Sequence, residues 1–374
     1  MKTACWVRWV SLRGFRNYAR ADVALRDGLT VLVGANGQGK SNFVEAVYVV
    51  AIGRSYRTVR EVEVVACGEA VARVRAVVVR RGRDEEQEVV IHRAEDAGTV
   101  QMRVGGVETP RSRVLGRVPV VVAAPWDLDV VRGAVVLRRR LLDAALAQVS
   151  PAYYFALHRY YRTLTQRNAA LRRRAGAHLE PWEAQMIALG ARVVVRRRAY
   201  VARLSMQTEG WFQRLGGTGT LRVRYRPSWA GASEEDVALV ARGELTRRRA
   251  DELRRGVTLS GPQRDDVEML LDDVPLRTVG SLGQWRLAML AVRFAEREAL
   301  RDELGVTPIL LLDDVLAELD EARQRRVLQL ADAGQVLATT TALPAGAGGN
   351  GIHVLRVADG AVREDAWSHR SVTS

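Results

Sequence analysis

The chain has 374 residues, 48% of them hydrophobic and 27% charged, which is ordinary globular composition with length for two domains. No apolar run reaches the roughly 18 residues of a membrane helix, the first fifteen residues lack the apolar stretch of a secretory signal, and Cys5 and Cys67 make neither a metal motif nor a disulfide framework; a cytoplasmic protein with no membrane partner is the expectation. The net charge of +14 is uneven: residues 1–125 carry +7, residues 126–256 carry +13 and residues 257–374 carry −6, so the middle is expected to face a polyanion, nucleic acid before others.

In chain order, the first 35 residues read as strands, among them CWVRWVSL and the run 29–33. From about residue 61 to 107, β-branched runs such as ARVRAVVVRR and EEQEVVIHR alternate with turns and predict an antiparallel β subdomain. After Pro125 the apolar residues repeat every three or four positions, with arginine on the other faces, which predicts helices through RRRLLDAALAQVS, PAYYFALHRYYRTLTQRNAALRRRA and EAQMIALGARVVVRRRAYVARL. GTGTLRVRYRPSW reads as a hairpin or sheet extension, and 231–235 as a loop. Beyond Gly256 strands and helices alternate again, the pattern of a parallel or mixed α/β sheet.

The segment VLVGANGQGKSN matches G-x-x-x-x-G-K-[ST] over Gly34, Ala35, Asn36, Gly37, Gln38, Gly39, Lys40 and Ser41, after a strand and at the start of a helix. The glycines let backbone N–H groups wrap phosphate oxygens, and the helix N-terminus adds a favourable dipole. Lys40 is one of only two lysines among 57 basic residues. A compact ammonium fits between β- and γ-phosphates where arginine's planar fork does not. ATP is therefore the expected cofactor, with Mg²⁺ on the Ser41 hydroxyl.

TPILLLDDV reads as a buried strand ending in two carboxylates. Asp313 is placed to hold Mg²⁺ with Ser41, and Asp314 to orient and deprotonate a water; Lys40, Asp313 and Asp314 are the expected catalytic groups. GSLGQWRLAMLAVRFAERE precedes that strand by about thirty residues. Its Ser281, Gly283 and Gln284 open an amphipathic helix, where ATP-binding-cassette proteins contact the γ-phosphate held by a second subunit. AELD (317–320) stands where such proteins carry the D-loop.

These strings resemble one family, the bacterial DNA-repair ATPases called RecF. LRGFRNY (12–18), GANGQGKSNFVEAV, GRSYRT (53–58), RRRLLD (138–143), SGPQRDD (260–266), GSLGQWR and LLLDDVLAELD are similar to its motifs in the same order, over roughly residues 12–341. Leu282 stands where the family usually has a polar residue, Gln263 where it usually has histidine, and AAPWDL (123–128) supplies no glutamine in the region of the glutamine loop. The resemblance implies a cassette-type P-loop ATPase head, α/β with a mixed sheet and an antiparallel β subdomain, interrupted by a mainly helical arm. The boundaries expected are 1–125 for the N-terminal part of the head, 126–256 for the basic arm and 257–374 for the C-terminal part of the head. It further implies an ATP-dependent homodimer on gapped or junction DNA, with slow hydrolysis. RecR and RecO are the implied partners, and RecA loading, replication restart and the SOS response the implied setting.

Within the arm, Arg172, Arg173, Arg174, Arg196, Arg197, Arg198, Arg247, Arg248 and Arg249 are the expected phosphate contacts. Two other classes fit less well. A transporter subunit has no use for a +13 insertion and usually carries a switch histidine where ATTTAL (338–343) has threonines. A metal-dependent nuclease needs clustered carboxylates or histidines, and none of the five histidines lies in H-x-H or H-x-D spacing.

Overall fold

The computed structural model describes residues 5–58, 60–93, 98–173, 179–330, 334–343 and 352–364. They form two compact units. The first takes the chain up to Asp127, Arg214–Gly216 and the described residues from Glu296 on; the second takes Leu128–Gln213 and Gly217–Ala295.

The first unit opens with β1 (Cys5–Phe15), β2 (Tyr18–Ala24), β3 (Leu29–Val33) and α1 (Lys40–Ile52). There follow β4 (Val71–Arg80), β5 (Arg83–His92), β6 (Thr99–Val104), β7 (Val107–Glu108), the short α2 (Arg111–Val114) and β8 (Val120–Ala123). An antiparallel sheet runs in the order β2-β1-β4-β5-β6-β7, where the alternating runs place it. One face of it buries Ala72, Val74 and Ala76, while Arg73 and Arg75 pair with Glu88 across the strands on the other.

The second unit is mainly helical. It is built from α3 (Asp127–Arg132), α4 (Val135–Val149), α5 (Pro151–Arg172), α6 (Glu180–Arg214), β9 (Leu221–Arg226) and α7 (Glu234–Arg255). Then come β10 (Asp266–Leu271), β11 (Val274–Pro275), α8 (Leu276–Val279) and the first half of α9 (Leu282–Leu304). Strand β10 pairs antiparallel with β9, Leu271 opposite Leu221. That ladder satisfies the β10 backbone, so residues 257–295 lie with the helical unit and not, as the sequence boundaries have it, with the C-terminal part of the head.

The chain returns to the first unit with β12 (Ile309–Leu312), α10 (Glu321–Leu330), β13 (Val336–Thr340), β14 (His353–Ala358) and β15 (Ala361–Glu364). The second sheet of this unit has the order β15-β14-β3-β13-β12-β8, parallel except for β15. Its inner strands β12 and β13 are buried at every position, the apolar ILLL of the one and the VLATT of the other alike, because both faces are covered. Helix α1 provides part of that cover. It contacts β1, β4 and β5 of one sheet and β8 and β13 of the other. That position explains why it is apolar nearly all round, with even Lys40 and Glu45 buried. The parallel register sets Leu312 level with Ala338 and Val33 with Thr340, so the segments after β3, β12 and β13 emerge together. Sites in open parallel sheets form at these strand ends.

Candidate nucleotide site and nucleic-acid interface

The loop after β3 is shaped by close approach. A Cβ at Gly34 would lie 2.2 Å from the Val357 carbonyl oxygen, and one at Gly39, where φ is 116°, would lie 2.7 Å from Asn17 Nδ2. Only glycine fits either place. Lys40 follows at the first position of α1, 4% exposed, and its Nζ donates to the Gly34 and Ala35 carbonyls at 2.8 and 2.9 Å. The ammonium is thus held inside the loop by the loop's own backbone. The rest of the loop is tied down from outside. Asn17 Nδ2 donates to the Gln38 carbonyl at 3.0 Å, the Tyr18 hydroxyl to the Gly39 carbonyl at 2.9 Å, and the Asp359 N–H to Gln38 Oε1 at 2.6 Å.

Beneath this loop the residues of three sequence strings meet on one carboxylate. Glu45 on α1 is fully buried and accepts from Arg16 through two nitrogens at 2.7 and 3.0 Å, from Arg57 at 3.1 Å and from Ser55 Oγ at 2.5 Å. A buried carboxylate is tolerable only with such pairing. FRNY, FVEAV and GRSYRT are therefore one structural joint that fixes the loop against α1.

The carboxylates arrive at the end of β12. Asp313 is 1% exposed, and its N–H donates to the Ala123 carbonyl at 2.9 Å. Asp314 follows with φ at 53°, a left-handed turn that an aspartate adopts more readily than most residues. Thr339 of β13 binds both: its hydroxyl lies 3.2 Å from Asp313 Oδ1 and 3.0 Å from Asp314 Oδ1, and the Asp314 N–H donates to it at 2.7 Å. Ser41 Oγ donates to Asp314 Oδ2 at 3.2 Å. Ser41 also acts as a hydrogen-bond partner that favours the Asp313 charge, so its hydroxyl serves both carboxylates. Asp313 further accepts from the Tyr56 hydroxyl at 3.1 Å. Tyr56 packs edge-on against Tyr48 and tilted against Trp126, both at 5.0 Å between ring centres. Trp126 comes from AAPWDL, so the segment lacking a glutamine supplies an aromatic wall. Burial, above all, lifts the Asp313 carboxyl above its ordinary range; the Asp314 charge adds to this, and hydrogen bonds from hydroxyl groups oppose it.

The donor set suits a hard cation. Ser41, Asp313 and Asp314 offer oxygen only, and a Mg²⁺ site of this class takes one or two carboxylates and completes itself with phosphate and water. Tyr56 and Thr339 were not singled out by sequence reasoning. The threonine string and GRSYRT were noticed, but nothing in a string tells which of its residues reaches 257 positions along to Asp313.

Ser281, Gly283 and Gln284 lie in the second unit. Ser281 N–H donates to Gln284 Oε1 at 2.8 Å, and Gln284 N–H to Ser281 Oγ at 3.3 Å, a reciprocal cap on α9. Leu282 is 46% exposed and a Cβ at Gly283 would meet only the Ser281 hydroxyl, so this helix start is an open surface of its unit.

The arm arginines divide. Arg197 is a correction to the expected phosphate contacts: it is fully buried, paired with Asp143 at 2.8 Å and Asp265 at 2.9 Å, and it donates to the Pro262 carbonyl at 2.8 Å. A guanidinium with no exposed surface cannot touch DNA. Tyr153 and Tyr225 close the same cluster through Asp143 and Asp265. RRRLLD and SGPQRDD thus meet inside the helical unit. Arg247 and Arg248 share Glu244 at 2.7 Å each, and Arg249 reaches Glu183 at 2.6 Å. Arg172, Arg173 and Arg196 are exposed and Arg198 is half-buried, while Arg174 lies outside the described residues.

A profile of the RecF/RecN/SMC N-terminal domain matches residues 6–342. The DNA replication and repair protein RecF of Gloeobacter violaceus is 41% identical over 353 residues, which cover 90% of this chain and 92% of that protein. Its namesake in Synechocystis sp. is 39% identical over 356 residues, with the same coverage of each. Among solved structures, the recombination mediator protein RecF-ATP in the RecFOR pathway superimposes with a TM-score of 0.89 at 26% identity, covering 97% of this chain and 98% of that one. The Smc head domain of Pyrococcus furiosus, at 17% identity, covers 96% of each chain with a TM-score of 0.56, a likeness of fold.

Proposed function

The chain belongs to the RecF family of DNA replication and repair proteins, and from that premise we propose that it is an ATP-gated DNA-binding ATPase. One observation carries the reading: the phosphate loop, the two carboxylates and Thr339 converge at the ends of β3, β12 and β13, with Ser41 hydrogen-bonded into the carboxylate cluster. The backbone N–H groups of residues 34–41 wrap the β- and γ-phosphates of ATP, and the Lys40 ammonium exchanges its carbonyl partners for phosphate oxygens. Ser41 and Asp313 hold Mg²⁺, which when bound neutralises charge on the phosphates. Asp314, oriented by Thr339, accepts the proton of the attacking water. Turnover is slow, because a short carboxylate pinned by a threonine has little freedom to reach that water.

Two copies close head to tail, and Ser281, Gly283 and Gln284 of each cap the γ-phosphate bound to the other. The exposure of that helix start supports this arrangement. Closure brings the arms to duplex, gapped or junction DNA, held by phosphate contacts that are strong at low salt and indifferent to sequence. RecO and RecR act with it, and RecA loading, replication restart and the SOS response are the setting, in the cytoplasm. The test is fluorescence anisotropy of a labelled gapped duplex at fixed salt, with and without ATP–Mg²⁺. Binding should tighten at least tenfold with nucleotide. Equal binding in both states would remove the gate, and no binding in either would remove DNA as the partner.

A further inference from the structure

With Arg197 buried and Arg247, Arg248 and Arg249 held by carboxylates, the basic excess of the arm has to be sought elsewhere. Most arginines of its other elements are similarly occupied: Arg222 faces Asp273, Arg224 and Arg226 share Glu268, and Arg192 reaches Glu234. Helix α5 differs on its outer side, although its buried Arg167 pairs with Glu183 and Glu252. Its 22 residues, PAYYFALHRYYRTLTQRNAALR, contain no acidic side chain. One edge is core, with Tyr153, Ala156, Tyr160, Leu164 and Leu171 buried. The opposite face is exposed at helical spacing from Phe155 through His158, Arg159 and Arg162 to Gln166.

This face combines two groups seldom left open together. Phe155 is 53% exposed and Tyr161 37%, and Tyr154 packs against Phe155 and the His158 ring at 5.9 and 5.0 Å between centres. Among the described residues, neither Arg159 nor Arg162 meets a carboxylate. Exposed aromatic rings beside unpaired arginines form a stacking platform with a cationic rail. A single-stranded nucleic acid matches both, its unpaired bases on the rings and its phosphates on the guanidiniums, whereas a duplex keeps its bases stacked on each other.

We propose that the exposed face of α5 is a binding surface for single-stranded nucleic acid, with bases stacking on Phe155 and phosphates on Arg159 and Arg162. The inference rests on the reading of this protein as a DNA binder and specifies which strand form meets which helix. An acidic polypeptide is the other partner the charges admit, but it has no use for the exposed Phe155 ring beside them.

The test uses the full chain with ATP–Mg²⁺, a labelled 20-nucleotide oligo-dT and a labelled blunt duplex. Phe155→Ala should weaken oligo-dT binding about tenfold and leave the duplex unchanged, while Phe155→Trp should restore it. Replacing Arg159 and Arg162 by Gln should lower the salt slope of oligo-dT binding by about 1.4, at about 0.7 per contact. The inference is overturned if Phe155→Ala leaves oligo-dT affinity intact, or weakens both DNAs alike. Displacement of oligo-dT by polyglutamate of matched charge, as readily as by unlabelled oligo-dT, would assign the face to a polypeptide. Wild type binding the duplex but not oligo-dT sinks this inference alone; binding neither sinks the DNA reading with it.

Discussion

Residues 34–41 and the arginine triplets at 196–198 and 247–249 are equally conspicuous in the sequence, and the fold uses them in opposite ways. In the phosphate loop every unusual residue has a local reason: Gly34 and Gly39 because backbone or side chain comes too close for a Cβ, and Lys40 because a small ammonium must lie within a ring of carbonyls. In the arm, adjacent identical residues point in different directions around a helix, so Arg196 is exposed while Arg197 is fully buried. A motif fixed by backbone geometry keeps its meaning in one dimension. A run of like charges does not, because its meaning depends on which side of the helix the core lies.

The largest effect that would test this contrast is on stability. Arg197→Ala strands Asp143 and Asp265 in the interior, and breaking a buried pair in this way costs about 3–5 kcal/mol. The unfolding free energy of the helical unit, extrapolated from urea, should fall by that amount and the midpoint should move to lower urea. If instead Arg197→Ala folds normally and loses DNA affinity, the triplet was correctly read from sequence.

Next comes Lys40→Arg, which preserves charge and changes shape. It should cut ATP hydrolysis by about 10²–10³, the scale of losing one preorganised electrostatic contact to a transition state, with the fold unaltered by circular dichroism. Hydrolysis within a few-fold of wild type would mean the loop tolerates a planar cation.

How far the site could be read from the sequence follows from the same contrast. Both halves of it, the loop and the carboxylate pair, stood out because each is a contiguous string at the end of an apolar strand. The parallel or mixed sheet that joins them was expected from the alternation of strands and helices beyond Gly256. What stayed hidden was pairing over long separations: Tyr56 with Asp313, Thr339 with both carboxylates, Glu45 with Arg16 and Ser55, and β9 with β10. None of these leaves a periodic trace, since each is one side chain or one short strand meeting a distant partner.

Asp313 offers a pH test. The folded state holds its proton more tightly than the unfolded chain, because burial disfavours the charge. As pH rises above the ordinary carboxyl value of 3.8, ionising Asp313 therefore costs stability, and the cost is complete above its raised folded value. Asp313→Asn removes that cost. The variant should be more stable than wild type at neutral pH in nucleotide-free buffer, with the gain fading at pH values below the carboxyl range, while Mg²⁺-dependent hydrolysis is lost. A variant less stable at neutral pH would mean that the hydrogen bonds from Tyr56 and Thr339 outweigh the burial of charge.

The smallest effect is the sharpest on the arm. Arg247 and Arg248 lie on an exposed face of α7, yet both donate to Glu244, whose carboxyl they hold below its usual range. Exposed pairs of this kind are worth about 0–1 kcal/mol, and replacing both arginines by glutamine should barely move the unfolding midpoint. Two phosphate contacts to duplex DNA would each contribute about 0.9 to the salt slope. The double variant should therefore keep the wild-type slope, because arginines already neutralised by a carboxylate release few counterions from DNA. A slope lower by about 1.8 would mean that DNA draws both guanidiniums away from Glu244, and that pairing seen in the free protein does not mark an arginine as spent.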